Sequence, residues 1–123
     1  MTAPMTPEIR DRLRGHRRAA GTARRAGDID TAWRLLEDAH VLSQPWAVAH
    51  VGVHWAMLRA AFAQRDGAEV RGQVLRLVVA GPGSLVGRYP VGNTGRAHVP
   101  ATAPMPVRPD LAAMLSRAGR RTR

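Results

Sequence analysis

Cysteine is absent from all 123 residues, which excludes disulfide staples, thiolate-held metals and cysteine nucleophiles. Lysine is absent too, since all 19 basic residues are arginine. Aromatic residues make up only 4%, too few for the stacking platform that single-stranded nucleic acid needs. No run approaches the roughly 20 apolar residues of a membrane span. The first twenty residues carry arginines without the apolar stretch of a secretory leader. Arg17-Arg18 is not followed by the hydrophobic run of a twin-arginine signal. The expected setting is therefore the cytoplasm, with no membrane partner.

What is present is a globular composition, 45% hydrophobic, at a length that suits one domain. The net charge of +10 is unevenly spread. Residues 1–27 hold seven arginines against two acids, and residues 81–123 hold seven against one. Residues 28–80 are nearly neutral, with five arginines and six acids. The chain reads as a single domain over 1–123, with a core at about 26–115 and arginine-rich ends at 1–25 and 116–123. Such ends attract nucleic acid or another polyanion, or simply lie solvated; the terminal Arg117, Arg120, Arg121 and Arg123 are expected to fray into solvent.

Helix signals dominate. Thr6-Pro7-Glu8 opens a helix over 7–26, closed by Gly27. Asp28 or Asp30 caps a second over 29–42, with Ala32, Leu35, Leu36 and Ala39 at helical spacing. Pro45 sits in the first turn of a third over about 45–64, which is uncharged from Trp46 to Leu58 and so reads as the buried centre. A fourth, over 67–79, carries Val70, Val74, Leu75, Leu77 and Val78, and Gly81-Pro82-Gly83-Ser84 ends it. A long Gly- and Pro-rich loop follows over 81–109, then a short helix from Pro109-Asp110 with Leu111, Met114 and Leu115 on one side. The expected fold class is all-α: two antiparallel hairpins, a wrapping loop and a short terminal helix. Ala26-Gly27-Asp28, Ala32, Leu36, Ala39 and Pro45 give the first hairpin a tetratricopeptide-like pairing, though one unit makes no solenoid.

One constellation can carry chemistry. Glu37 and His40 stand three apart on the second helix, and His50 and His54 four apart on the third. A turn centred near Gln44 places the two pairs across one seam. Imidazoles on an apolar helix need partners, because a bare buried polar group costs about 1–3 kcal/mol. Imidazole and carboxylate without thiolate suit a divalent transition metal: zinc, iron, copper, nickel, cobalt or manganese. Gln73 and Glu69, four apart on the fourth helix, can supply an extra ligand or orient a histidine. A metal-free hydrogen-bonded core explains the same residues. Val51 follows His50, so the glutamate of a zinc-protease helix is missing. Only one Glu-x-x-His pair occurs, whereas a di-iron bundle needs two.

Other residues point less sharply. His16 lies in a basic exposed segment, and His98 would have to fold back from the loop. Gly92-Asn93-Thr94-Gly95 lacks the lysine and following helix of a phosphate loop. Ser43 and Ser84 have no histidine at nucleophile spacing, and Trp33, Trp46 and Trp55 read as core.

The ordered set Gly27-Asp28, Leu36 to Gln44, His50, His54 to Leu58, Gly72-Gln73, Gly92-Asn93-Thr94-Gly95 and Pro104-Met105-Pro106 resembles a family of small bacterial proteins known only as a domain of unknown function. The resemblance spans most of residues 26–115. It implies that Glu37, His40, His50, His54 and Gln73 belong to the family's pattern and that the Gly92–Gly95 loop is structured. His98 departs from that pattern, where asparagine is expected. The reading that follows is a metal-binding protein with a mononuclear site at Glu37, His40, His50 and His54. Its alternatives are a metal-free helical module with a protein partner and an electrostatic nucleic-acid binder.

Overall fold

A computed structural model describes residues 4–123; residues 1–3 of the arginine-rich end lie outside them. Five helices follow in order: α1 (Pro7–Arg25), α2 (Ile29–Ser43), α3 (Ala47–Ala63), α4 (Gly67–Leu85) and α5 (Pro109–Arg117). The described residues form no strand, so the fold is all-α. α1 lies along α2 and α3 along α4, as two hairpins. Local signals set most boundaries. Thr6 Oγ1 accepts from Ile9 N, Asp28 from Thr31 N and Asp66 from Glu69 N, each satisfying an amide left over at a helix start. Pro45 stays outside α3, whose cap is Trp46.

The hydrocarbon core joins α1, α2, α3 and α5. Ile9, Leu13, Leu36, Leu42, Val53, Met57, Leu111, Met114 and Leu115 are buried there. α5 is pinned to α1 by an ion pair between Arg117 and Glu8. Arg121 donates to Gly87 O at 2.7 Å, and the Arg120 guanidinium lies over Trp46. Arg117 and Arg121 are thus tethered rather than frayed.

α4 departs from its expected design in two ways. It runs through Pro82 to Leu85, because Ser84 is held by tertiary bonds to α2 and α3 and Gly87 (φ 71°) supplies the stop. It is also inverted. Its buried stripe is Glu69, Gln73, Arg76, Ala80 and Ser84, while Val74, Leu75, Val78 and Val79 face solvent. The outer side of α3 is equally bare: Val48, Trp55 and Phe62 are exposed, so α3 is buried on one side only and Trp55 is not core.

The segment from Gly87 to Arg108 wraps the α2–α4 side as an ordered strap. Met105 N donates to Val91 O at 2.9 Å. Gly92 (φ 81°) packs so closely that a Cβ would lie 1.9 Å from Met105 O.

Candidate metal centre

His40 enters from α2, His50 and His54 from α3, and all three are buried. Their Nε2 atoms face one another. His40 Nε2 is 3.0 Å from His54 Nε2 and 3.0 Å from His50 Nε2, and one ligating nitrogen from each ring lies within 4.8 Å of the others.

The outer nitrogens decide what these inner ones carry. His40 Nδ1 donates to the backbone oxygen of Asn93 at 2.6 Å, an obligate acceptor. His54 Nδ1 lies 2.7 Å from Gln73 Oε1, and Gln73 Nε2 donates to Glu69 Oε2 and to Gly95 O, both at 2.7 Å. Those two acceptors fix the amide, so Oε1 faces His54 and Nδ1 donates. Ser84 Oγ–H donates to Gln44 O, leaving its oxygen to accept from His50 Nδ1 at 2.8 Å. Every Nδ1 thus holds its ring's proton, and every Nε2 presents a lone pair.

Burial keeps the rings neutral. The His50 pKa is pushed down to about 3, by desolvation and then by His54. Desolvation lowers His54 to about 4 against the opposing Gln73 bond. His40 is held well below its ordinary value by burial, with both neighbouring imidazoles adding to it.

A layer of polar groups braces the triad. Burial pushes the Glu69 carboxyl up, but Arg96, Gln73 and the Ala97 amide outweigh it and hold the pKa below its ordinary value. Arg96 Nε donates to Glu69 Oε1 at 2.7 Å while its guanidinium stacks 3.8 Å above Trp33. Asn93 orders the strap: its amide donates to Pro100 O and Ala103 O, and its Oδ1 accepts from Gly95 N. Gly95 (φ 82°) lies against His40, where a Cβ would come within 2.7 Å of the ring's Cδ2.

Of the residues singled out from sequence, His40, His50 and His54 converge, with Gln73 and Glu69 directly behind His54. Glu37 lies apart, partly buried, its Oε2 4.0 Å from Arg96 Nη1. Burial raises its pKa, opposed by Arg96. His98 is exposed in the strap, and His16 faces Asp38 at 3.9 Å. Sequence reasoning missed Ser84, Gln44, Asn93 and Gly95 as supports. Ser84 was hidden behind Pro82. Asn93 and Gly95 lay in plain view in the Gly-Asn-Thr-Gly loop, whose conformation had no local signature.

The three rings also form part of the wall of a cavity of about 630 Å³ that opens to solvent between α4 and the strap. The chemical capacity is therefore three converging nitrogens beside a cavity, the donor set of a mononuclear transition-metal site.

The chain matches the family described as Protein of unknown function (DUF3703) over residues 7–115 and belongs to it. No curated protein and no solved structure is significantly similar to it.

Proposed function

We propose that this protein binds one divalent transition-metal ion through His40, His50 and His54, leaving a coordination position toward the cavity. One observation carries the reading: the lone pair of His40 Nε2 faces those of His50 and His54, each 3.0 Å away, with no proton between them, and the three ligating nitrogens all lie within 4.8 Å of one another. Hydrogen bonding cannot satisfy that arrangement, because each ring's only proton is committed outward. A shared cation satisfies all three at once. Zinc–nitrogen bonds of about 2.0–2.1 Å in tetrahedral geometry put nitrogens about 3.3 Å apart, within a few tenths of an ångström of the 3.0 Å that separates His40 Nε2 from each of the other two. The outward bonds match the hydrogen-bonded carbonyl, hydroxyl and amide partners that orient metal-ligating histidines and raise their basicity.

Glu37 belongs to the outer layer in this reading, held with Arg96 and Glu69, rather than to the ligand set. The donor chemistry admits zinc, cobalt, nickel, copper or iron and disfavours calcium or magnesium, which require oxygen ligands. A metal held there supplies Lewis acidity to whatever enters from the cavity.

The test is metal analysis of untagged protein after loading with zinc or cobalt and dialysis. One ion per chain is expected, and none in a His50→Ala/His54→Ala double variant. Zinc at about 1,000 times its dissociation constant raises unfolding free energy by about 4 kcal/mol. Protein that retains no metal after loading, with no zinc-dependent shift in its unfolding midpoint, overturns the assignment.

A further inference from the structure

The cavity in front of the triad differs from the triad in character. Its walls are mostly aliphatic, including Leu75, Val78, Val79 and Val86, all of them outward-facing side chains of the inverted α4 or its cap. Leu75, Val78, Val79 and Val86 are all exposed and line the one cavity together, an apolar grouping of the kind that marks a binding site. The only charged residues in the wall are two arginines, Arg76 and Arg88, and no carboxylate lines it. Arg76 is almost fully buried. It spends two N–H groups on the carbonyls of Gly72 and Val99, makes no ion pair among the described residues, and keeps further donors uncommitted. A metal on three neutral imidazoles would add two more positive charges at the same end.

We propose that the cavity takes an aliphatic carboxylate of about eight to twelve carbons, a size suited to pockets of this volume. Its carboxylate lies at the open position of the metal with Arg76 beside it, and its chain lies along Leu75, Val78 and Val79. This deepens the metal assignment and rests on it. Charge selects the head, since the charged side chains that line the cavity, Arg76 and Arg88, are both cations, while the Glu69 carboxylate behind the wall is engaged by Arg96, Gln73 and the Ala97 amide. Surface chemistry selects the tail, since away from the histidines and arginines the wall is built largely from Leu75, Val78, Val79, Ala80, Pro82 and Val86. Concavity favours a small amphiphile over a flat protein face, because the triad forms part of the cavity wall.

The experiment uses full-length cobalt-loaded protein, whose visible absorption reports the metal's ligands, titrated with decanoate below its micelle concentration, with acetate and with decanol. Decanoate should shift the cobalt bands saturably at one molecule per chain, and acetate should require at least about 100-fold higher concentration. Decanol should be far weaker than decanoate. Val78→Asp, an exposed change remote from the hydrocarbon core, should retain one cobalt per chain and weaken decanoate by about 10-fold or more. Equal potency of acetate and decanoate, an unaltered cobalt spectrum, or an undiminished response in Val78→Asp each overturns the proposal. Chains that sediment as a dimer and ignore decanoate overturn it in favour of a second copy on the α4 face. Failure to bind cobalt at all removes the metal assignment and this one together, whereas bound cobalt that is blind to decanoate removes this one alone.

Discussion

The molecule has two interiors, and they are built on opposite rules. Between α1, α2, α3 and α5 the buried groups are hydrocarbon, from Ile9 through Met57 to Leu115. Between α2, α3, α4 and the strap they are His40, Gln44, His50, His54, Glu69, Gln73, Ser84 and Asn93. The first interior is non-directional and tolerates rearrangement at a cost set by volume. The second works only as a fully partnered set, because each missing bond strands a buried donor or acceptor. α3 belongs to both: Val53 and Met57 serve the first, and His50 and His54 the second. α4 belongs mainly to the second: Val70 reaches the hydrocarbon cluster, but Val74, Leu75, Val78 and Val79 are left outside.

Acid should separate the two interiors most sharply. In the unfolded chain each histidine takes up a proton near pH 6.5. In the metal-free fold His54 resists until about 4, His50 until about 3, and His40 is also held well below its ordinary value. The unfolded state therefore binds more protons in this window, so stability is complete above about pH 6.5 and lost as pH falls toward 4. Each histidine contributes a slope of about 1.4 kcal/mol per pH unit. Chemical denaturation of the metal-free chain between pH 7 and pH 4 should give a slope approaching three protons. A flat profile would mean that the rings are not buried neutral.

Next in size is truncation of the hydrocarbon interior. Met57→Ala should cost about 2–5 kcal/mol, measured by urea denaturation. The loss should be the same in metal-free and zinc-loaded protein, since Met57 is part of the apolar cluster and supplies none of the hydrogen bonds that hold the histidines. A loss that vanishes on adding zinc would show that the two interiors are one unit.

Gln73→Met should show the opposite signature. It leaves the His54 Nδ1–H without an acceptor and removes the amide that donates to Glu69 and Gly95. Zinc affinity, read by competition with a chromogenic chelator, should fall about 10–100-fold. An affinity unchanged within twofold would show that the amide merely fills space.

The two interiors were not equally legible. Caps and periodicity are local, so Thr6, Asp28 and the spacing of Leu36 and Ala39 placed α1 and α2 within a residue or so. His50 and His54 announced themselves as imidazoles on a helix uncharged from Trp46 to Leu58, and a short turn was enough to bring His40 of α2 to them. Glu37 shared a face with His40 by spacing, yet Arg96, 59 positions later in the chain, engages it. α4 misled because aliphatic residues at helical spacing ordinarily mark the buried side. Here the buried side is a stripe of Glu69, Gln73, Arg76 and Ser84, whose partners lie mostly on α2, α3 and the strap. Pro82 misled for the same reason: the bonds from Ser84 that carry the helix past it come from distant residues.

The smallest effect tests the inversion itself. If Leu75 faces solvent at the cavity mouth, Leu75→Ser should change unfolding free energy by no more than about 0.5 kcal/mol. It should also leave zinc stoichiometry at one per chain. If instead α4 packed its aliphatic side inward, the same substitution would cost several times more and would turn Gln73 and Ser84 out of reach of the histidines. A small change here beside a large one at Met57 therefore places the weight of α4's attachment on its buried stripe and on Val70, which packs against the hydrocarbon core, rather than on its outward aliphatic side.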